Sequence, residues 1–240
     1  MSGRPEDYRA IWASKPVLRE IYSDIYRRIS AGLAPGNSLE IGGGSGNFKQ
    51  FAPSVISSDV VFSPWLDVVC DAQRLPFEAN SVGNIVMVDV LHHIENPALF
   101  MMEAARVLRP GGRLIFCEPA ITPLSGVFYR LFHPEPVDMS VDPLAGHSIS
   151  AAKDPWDSNQ AIPTLLTGKY RQAVSRLIPG LKLRQLDLFS FVAYPLSGGF
   201  REWSLIPASI TGFVLDIEWK LRRALGRLAA FRLLAVYEKA

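Results

Sequence analysis

The stretch "LEIGGGSGNF", residues 39–48, constrains this chain more than any other. A short apolar run feeds into Gly42, Gly43, Gly44 and Gly46, four glycines in five positions, with Glu40 at the mouth of the turn. A strand, a glycine turn and the start of a helix form the corner at which open α/β sheets bind anions or nucleotides. Glycine allows positive φ and lets a ligand approach the main chain with no Cβ in the way. Alone, the pattern also serves plain strand–helix packing. It is not the dinucleotide pattern G-x-G-x-x-G, which argues against a nicotinamide-dependent oxidoreductase. No Gly-Lys-Ser/Thr follows, so it is not a phosphate loop either.

The rest of the chain agrees with an α/β sheet. Beyond Ser38, short apolar runs alternate with helical or polar segments: "NSLEI", "SVISSDV", "LDVVCDA", "GNIVMVDVL", "GRLIFCEP". Near-continuous apolar strands point to a parallel sheet covered on both faces. "PALFMMEAARVLRPGG" reads as a helix that starts at a proline and ends at "RPGG". Before the sheet, Leu18, Ile21, Ile25 and Ile29 share a helix face, and Pro16 divides that region into a short and a longer helix. Residues 120–165 are proline-rich and weakly periodic, as binding loops and lids are. "LKLRQLDLFSFVAY" and "FRLLAVYEKA" read as late strands flanking an amphipathic segment, 212–228. There Val214, Ile217, Leu221, Leu225 and Leu228 share one face, and Asp216, Lys220, Arg223 and Arg227 the opposite one. Packing of the apolar face on the sheet is the simpler expectation. A helix resting on an anionic membrane through Trp219, Lys220, Arg222, Arg223 and Arg227 is the sharper one.

Composition narrows the partners. The 240 residues suit one domain with a full core, and a net charge of +2 gives no basic strip for nucleic acid. Cys70 and Cys117 lack metal or disulfide spacing and read as buried thiols of a reducing compartment. The first residues carry no apolar signal region, and no run approaches the roughly 18 apolar residues of a membrane span. The expectation is a cytoplasmic protein with no metal site, with peripheral contact through 212–228 as an addition.

Several marks fall in one order. Glu-x-Gly-x-Gly-x-Gly from Glu40 to Gly46, Asp59 at the end of a second strand, "CDAQRLPF", "NIVMVDVLHHIENP" and "EAARVLRPGGRLIFCEP" together resemble the class I S-adenosylmethionine-dependent methyltransferases, small-molecule "type 11" branch, over about residues 36–119. The resemblance implies a three-layer, Rossmann-like α/β fold with a seven-stranded sheet in the order 3-2-1-4-5-7-6, strand seven antiparallel. It implies S-adenosyl-L-methionine as cofactor and S-adenosyl-L-homocysteine as product. By the family's pattern the methionine ammonium lies over the glycine turn near Glu40, Asp59 takes the ribose hydroxyls, and Asp71-Ala72 meets the adenine, with Leu75 helping to sandwich it. Asp67 competes with Asp59 for the ribose. This chain departs from the family in short spacings around Pro53 and Pro64, which imply a truncated first helix and little helix between strands two and three. Gly83-Asn84 stands where Phe-Asp is usual.

Asp89, His92 and His93 fall at or just past the carboxyl end of the fourth strand, where the family meets the transferring methyl. A histidine there has a pKa suited to taking a hydroxyl proton, and Asp89 is also a candidate cofactor contact. Glu118 is a further acceptor contact, and His133, Glu135, Asp138, His147 and Trp156 are candidates from the irregular segment. Tyr8 and Trp12 belong either to a lid or to a buried face. These marks imply a single methyltransferase domain over 1–240: a helical cap (1–35), the cofactor core (36–119), an acceptor cover (120–165), and C-terminal strands with the amphipathic helix (166–240). The expected activity is methyl transfer to a small-molecule or lipid- or sugar-linked acceptor, at oxygen in the first instance. Carbon methylation of a quinone-like or fatty acceptor, assisted by His92 or His93, stays open, and a catalytically silent cofactor-binding module is the alternative.

Overall fold

The computed structural model describes residues 5–146 and 154–240. Seven strands form one sheet: β1 (Ser38–Ile41), β2 (Ile56–Asp59), β3 (Val68–Val69), β4 (Val82–Val88), β5 (Leu108–Pro119), β6 (Leu181–Phe189) and β7 (Arg232–Lys239). Their order is β3-β2-β1-β4-β5-β7-β6. Strands β1 to β5 pair in parallel, whereas β7 runs antiparallel to both β5 and β6. This is the expected order and sense.

Side chains alternate across the central strands, and both sides are apolar. Ile85, Met87, Leu114, Phe116, Leu233 and Ala235 enter one core. Val86, Ile115, Cys117, Leu234 and Val236 enter the other. The first core is roofed by α3 (Pro97–Val107), α5 (Ile162–Thr167) and α6 (Arg171–Leu177). The second is roofed by α1 (Pro5–Ser14), α2 (Pro16–Ala31) and α8 (Ala208–Ala229). Pro16 opens α2, as expected of a residue whose missing N–H is not needed in the first helical turn. Two further helices are α4 (Pro123–Phe132) and α7 (Ala193–Ser197).

The short spacings have the expected consequence. After β1 there is one 3-10 turn, Asn47–Gln50, and no helix joins β2 to β3. Gly83-Asn84 also has a structural reason. A Cβ on Gly83 would lie 2.8 Å from the Asn37 carbonyl, and the buried Asn84 amide bonds the main chain of Ala34 and the Ser38 hydroxyl.

Two expectations need correction. "RPGG" does not end α3 as a separate turn: β5 begins at Leu108 directly after the helix, and its pairing with β4 skips register between Val82 and Asn84. More consequentially, α8 packs on the sheet through Thr211, Leu215, Glu218 and Gly226, not through its apolar stripe. Gly226 sits so close to β6 that a Cβ would meet the Leu188 carbonyl at 2.6 Å. Trp219 turns inward against Phe189, with ring centroids 5.5 Å apart, and Arg222 bonds Asp187 at 2.7 Å. Ile217, Leu221, Leu225 and Leu228 face outward and are exposed.

Candidate functional site

The parallel strands leave their carboxyl ends on one edge, where the order reverses between β1 and β4; this is the crevice in which open α/β sheets bind ligands. A cavity of about 1790 Å³ opens there. That exceeds the ~300–1,000 Å³ of a single small-molecule site, so there is room for two ligands side by side.

One end is carboxylate-lined. Glu40, Asp59, Asp71 and Asp89 all border the cavity, with Gly42, Gly43, Gly44, Ala72 and Gln73. Glu40 is buried, and its Oε2 accepts from the Ser57 hydroxyl at 2.5 Å. Burial pushes its carboxyl up to about 7, against the partial opposition of that hydrogen bond. Asp59 accepts from the Gly44 and Val61 amides at 2.9 and 3.0 Å, which fixes the glycine turn to the end of β2. Each of its oxygens keeps a lone pair for a further donor. Asp71 accepts from the Gln73 amide at 2.8 Å.

The glycines divide by purpose. A Cβ on Gly42 would lie 2.1 Å from Val90 Cγ2, one on Gly43 2.2 Å from Ser57 Oγ, and one on Gly46 2.7 Å from Trp65 Cδ1. These three make room for the protein itself, and Gly46 does not border the cavity. Gly44, with φ of +41°, has no close neighbour beyond ordinary contact, so its Cβ would project into the space a ligand would take. Gly42→Ala is therefore expected to destabilise the fold by about 2–4 kcal/mol, through the clash and its φ of +72°. Gly44→Ala should cost only the ~1–2 kcal/mol of a left-handed residue and lose ligand binding instead. Thermal melts beside ligand titration separate the two.

The other end holds histidines and aromatic rings. His92 is buried; its Nδ1 lies 2.6 Å from Glu118 Oε2 and its Nε2 3.3 Å from Glu135 Oε2. Glu118 is fully buried and also accepts from the Val90 and Leu91 amides at 2.7 and 2.8 Å. Burial alone would lower the His92 pKa, but the two carboxylates outweigh it and hold it near about 10, so His92 is an imidazolium at neutral pH. His93 goes the other way, held below its usual value by burial and by the charge on His92. The two rings stand 4.2 Å apart. Ligand atoms of His92, His93 and Glu135 lie within 4.8 Å of one another.

Asp89 has φ of +59° at the end of β4 and a carboxylate engaged on both sides. Tyr22 donates to Oδ2 at 2.8 Å, and the fully buried Arg232 to Oδ1 at 2.5 Å. It can set the field of the pocket but is not placed to shuttle protons.

The remaining candidates separate. His133, Glu135, Trp156 and Tyr8 border the cavity. Trp12 is buried against Tyr22 and Tyr26, and Asp138 bonds Ser140 away from the cavity. Glu118 acts only through His92. Leu75 packs in the core below the sheet edge instead of bordering the cavity; Val60 and Val61 border it on that side with Ala72. Asp67 faces away, bonded to Lys49 at 2.6 Å and the Ser57 amide at 2.8 Å. His147 lies outside the described residues. Cys117 is buried, with its thiol pushed up to about 12 by burial, and Cys70 is half-buried; both are free thiols.

Sequence reasoning missed the segment 194–203, the end of α7 and the loop after it, which supplies Tyr194, Phe200, Arg201 and Trp203 to the cavity wall. Lys15 holds it: the buried Nζ donates to the carbonyls of Gly199, Arg201 and Trp203 at 2.6–2.9 Å. Arg232 was missed as well. Its one signal was a cation in the otherwise apolar run "FRLLAVY".

The strand order, with the antiparallel β7 and the carboxylate-lined cavity where the order reverses, defines a seven-stranded, Rossmann-like α/β fold. Residues 39–116 match the family model described as "Methyltransferase domain". The chain is similar to demethylmenaquinone methyltransferase of Tropheryma whipplei, with 34% identity over 88 residues, 34% of this chain and 37% of the relative. It thus spans little more than a third of that relative. The fold is shared with two solved S-adenosylmethionine-dependent methyltransferases. One, from Archaeoglobus fulgidus, has a TM-score of 0.55 at 12% identity over 92% of this chain and 94% of that one. The other, from Thermotoga maritima, has a TM-score of 0.54 at 15% identity over 95% and 93%.

Proposed function

We propose that this chain transfers a methyl group from S-adenosylmethionine to a hydroxylated, largely apolar acceptor with a ring, of the quinol or phenol kind. The observation that carries it is the division of a single cavity: backbone glycine and four carboxylates at one end, two histidines of opposite charge state among aromatic walls at the other. The similarity to a demethylmenaquinone methyltransferase supports an acceptor of this class.

The donor set fits the cofactor. Gly44 leaves open space where a Cβ would stand, and Glu40 carries a carboxyl that a cation would hold ionised. Asp59 and Asp71 retain lone pairs for hydroxyl and amino donors. When bound, S-adenosylmethionine supplies a methyl group already activated on a sulfonium. Glu40 would then hold the ammonium, Asp59 the ribose, and Asp71 with Ala72 the adenine. Because the donor is activated, the chain's task is to position the acceptor and receive its proton. Neutral His93 is the proposed proton acceptor. His92, kept cationic by Glu118, stabilises the acceptor oxygen as it loses that proton. Glu118 is a positioning residue.

Calorimetry of S-adenosylmethionine and S-adenosylhomocysteine with wild type and Asp59→Ala tests the cofactor site. Binding to wild type, weakened on the order of 10- to 100-fold in the variant, is the expected result. A folded wild type that binds neither would overturn it. If both bind but no quinol or phenol gains a methyl group by mass spectrometry, the acceptor class falls; no turnover over a broad acceptor panel would favour a silent cofactor-binding module. Methylation at ring carbon in place of oxygen, read by NMR of the product, would retain the acceptor class and move the reacting atom.

A further inference from the structure

The outward faces of α4 and α8 carry an apolar surface that the fold itself leaves uncovered. On α8, Ile210, Phe213, Ile217, Leu221, Leu225 and Leu228 recur at three- and four-residue steps along one side, and each is at least 39% exposed. Neighbouring α4 repeats the pattern with Leu124, Val127 and Leu131, all more than half exposed. A folded chain does not gain from showing two adjacent apolar helix faces to water; contiguous patches of this kind mark interaction surfaces.

The charges beside the stripe say what kind of partner covers it. At 100° per residue, Lys220, Arg223 and Arg227 fall together on one flank of α8, with Asp216 the single acid among them. Among the described residues no ion pair engages those three cations. An apolar stripe facing out with a cationic flank is the pattern of a helix lying in the plane of an anionic lipid surface. No described helix is long and apolar enough to cross a membrane. The surface is also continuous with the cavity mouth. Phe132 at the end of α4 and Trp203 in the loop after α7 are both exposed and both border the cavity, and Arg201 ties that loop to the Phe132 carbonyl at 3.0 Å.

We propose that the chain docks on anionic lipid bilayers through the outer faces of α4 and α8, with the rim formed by Phe132 and Trp203 set against the lipid. An apolar acceptor then enters the cavity from the bilayer without crossing water. That route rests on the acceptor class proposed above; the docking does not.

The test is flotation with vesicles of phosphatidylcholine alone and of phosphatidylcholine doped with phosphatidylglycerol. Three proteins are compared: wild type, Phe213→Ser/Leu221→Ser and Lys220→Glu/Arg223→Glu. Wild type should float with the doped vesicles. The apolar variant should partition on the order of 100-fold more weakly. The charge-reversed variant should lose on the order of tenfold or more at low salt, and the loss should shrink as salt rises. All three should bind S-adenosylmethionine equally, which shows them folded. Absence of flotation by wild type, or flotation untouched by both variants, overturns the docking. So does a wild-type dimer in sedimentation equilibrium that Phe213→Ser/Leu221→Ser turns monomeric, since a second copy would then cover the face. Failure of cofactor binding with intact flotation would sink the methyl-transfer reading and leave the docking standing.

Discussion

Glu40→Gln is expected to give a protein more stable than wild type above pH 7 and almost unable to bind S-adenosylmethionine. Glu40 is buried near the end of β1, where its carboxylate accepts from the Ser57 hydroxyl, and burial raises its carboxyl from 4.5 to about 7. The folded state therefore binds a proton that the unfolded chain has already released between those values. Stability then falls as pH rises from 4.5 to 7, and the full cost, up to about 3 kcal/mol, is present above 7. An amide removes the cost but brings its own desolvation, so the net gain above pH 7 should be about 1–2 kcal/mol, with none below pH 4.5. Binding should move the opposite way. The ionised carboxylate that is costly in the free protein is the group proposed to hold the cofactor's ammonium. Losing it should weaken binding on the order of 10- to 100-fold. Wild-type affinity should also fall as pH drops below 7, because the carboxyl must first give up its proton, whereas the variant should show no such dependence. Melting curves and calorimetry on either side of pH 7 check both halves. A Glu40→Gln protein that binds as wild type does would remove Glu40 from the site.

Arg232→Met should cost about 3–5 kcal/mol, a fall in Tm on the order of 10 °C. Arg232 is fully buried on β7, donates to Asp89 and to the Cys117 carbonyl, and lies 4.9 Å from the Tyr194 ring centroid. Its Nε has no hydrogen-bond partner among the described residues. A buried cation left partly unsatisfied is a poor stabilising device; what it does is pair with the Asp89 carboxylate at the cavity edge. Removing the cation alone strands that carboxylate. Asp89→Asn/Arg232→Met removes both charges and should recover at least half of the lost stability, a coupling that a double-mutant cycle measures. Full additivity would show that Arg232 serves packing alone.

The division between the two histidines has a similar origin. Adjacent in sequence, they shift in opposite directions: at His92 the carboxylates of Glu118 from β5 and Glu135 from the segment after α4 outweigh burial, whereas at His93 burial and the charge on His92 prevail. Nothing in "LHH" distinguishes them.

How far the sequence reached can be judged element by element. The alternation of apolar runs with helices, the glycine turn and the Leu-Arg-Pro-Gly-Gly segment were local patterns, and local patterns decide element type. They led to a parallel α/β sheet; the order β3-β2-β1-β4-β5-β7-β6 and the acids Glu40, Asp59, Asp71 and Asp89 at the cavity edge came from the family resemblance that those patterns carry. The assignment of glycines was less legible. Gly42, Gly43 and Gly46 answer to Val90, Ser57 and Trp65, which lie 48, 14 and 19 residues further along the chain, and only Gly44 faces open space.

By itself the sequence determined most strands and the helices outside 120–165, because those follow from hydrophobic period, turn chemistry and spacing within a few dozen residues; their order followed from the family resemblance, and α4 lay hidden in a segment read as irregular. Tertiary structure alone decided three things. It chose which face of α8 meets the sheet, where close approach at Gly226 and the Trp219–Phe189 contact outweighed the larger apolar stripe. It chose which histidine is charged. It also joined Arg232 to Asp89 across 143 positions of chain. Burial, electrostatics and steric fit at long range depend on which side chains are brought together, and a one-dimensional pattern does not contain that information.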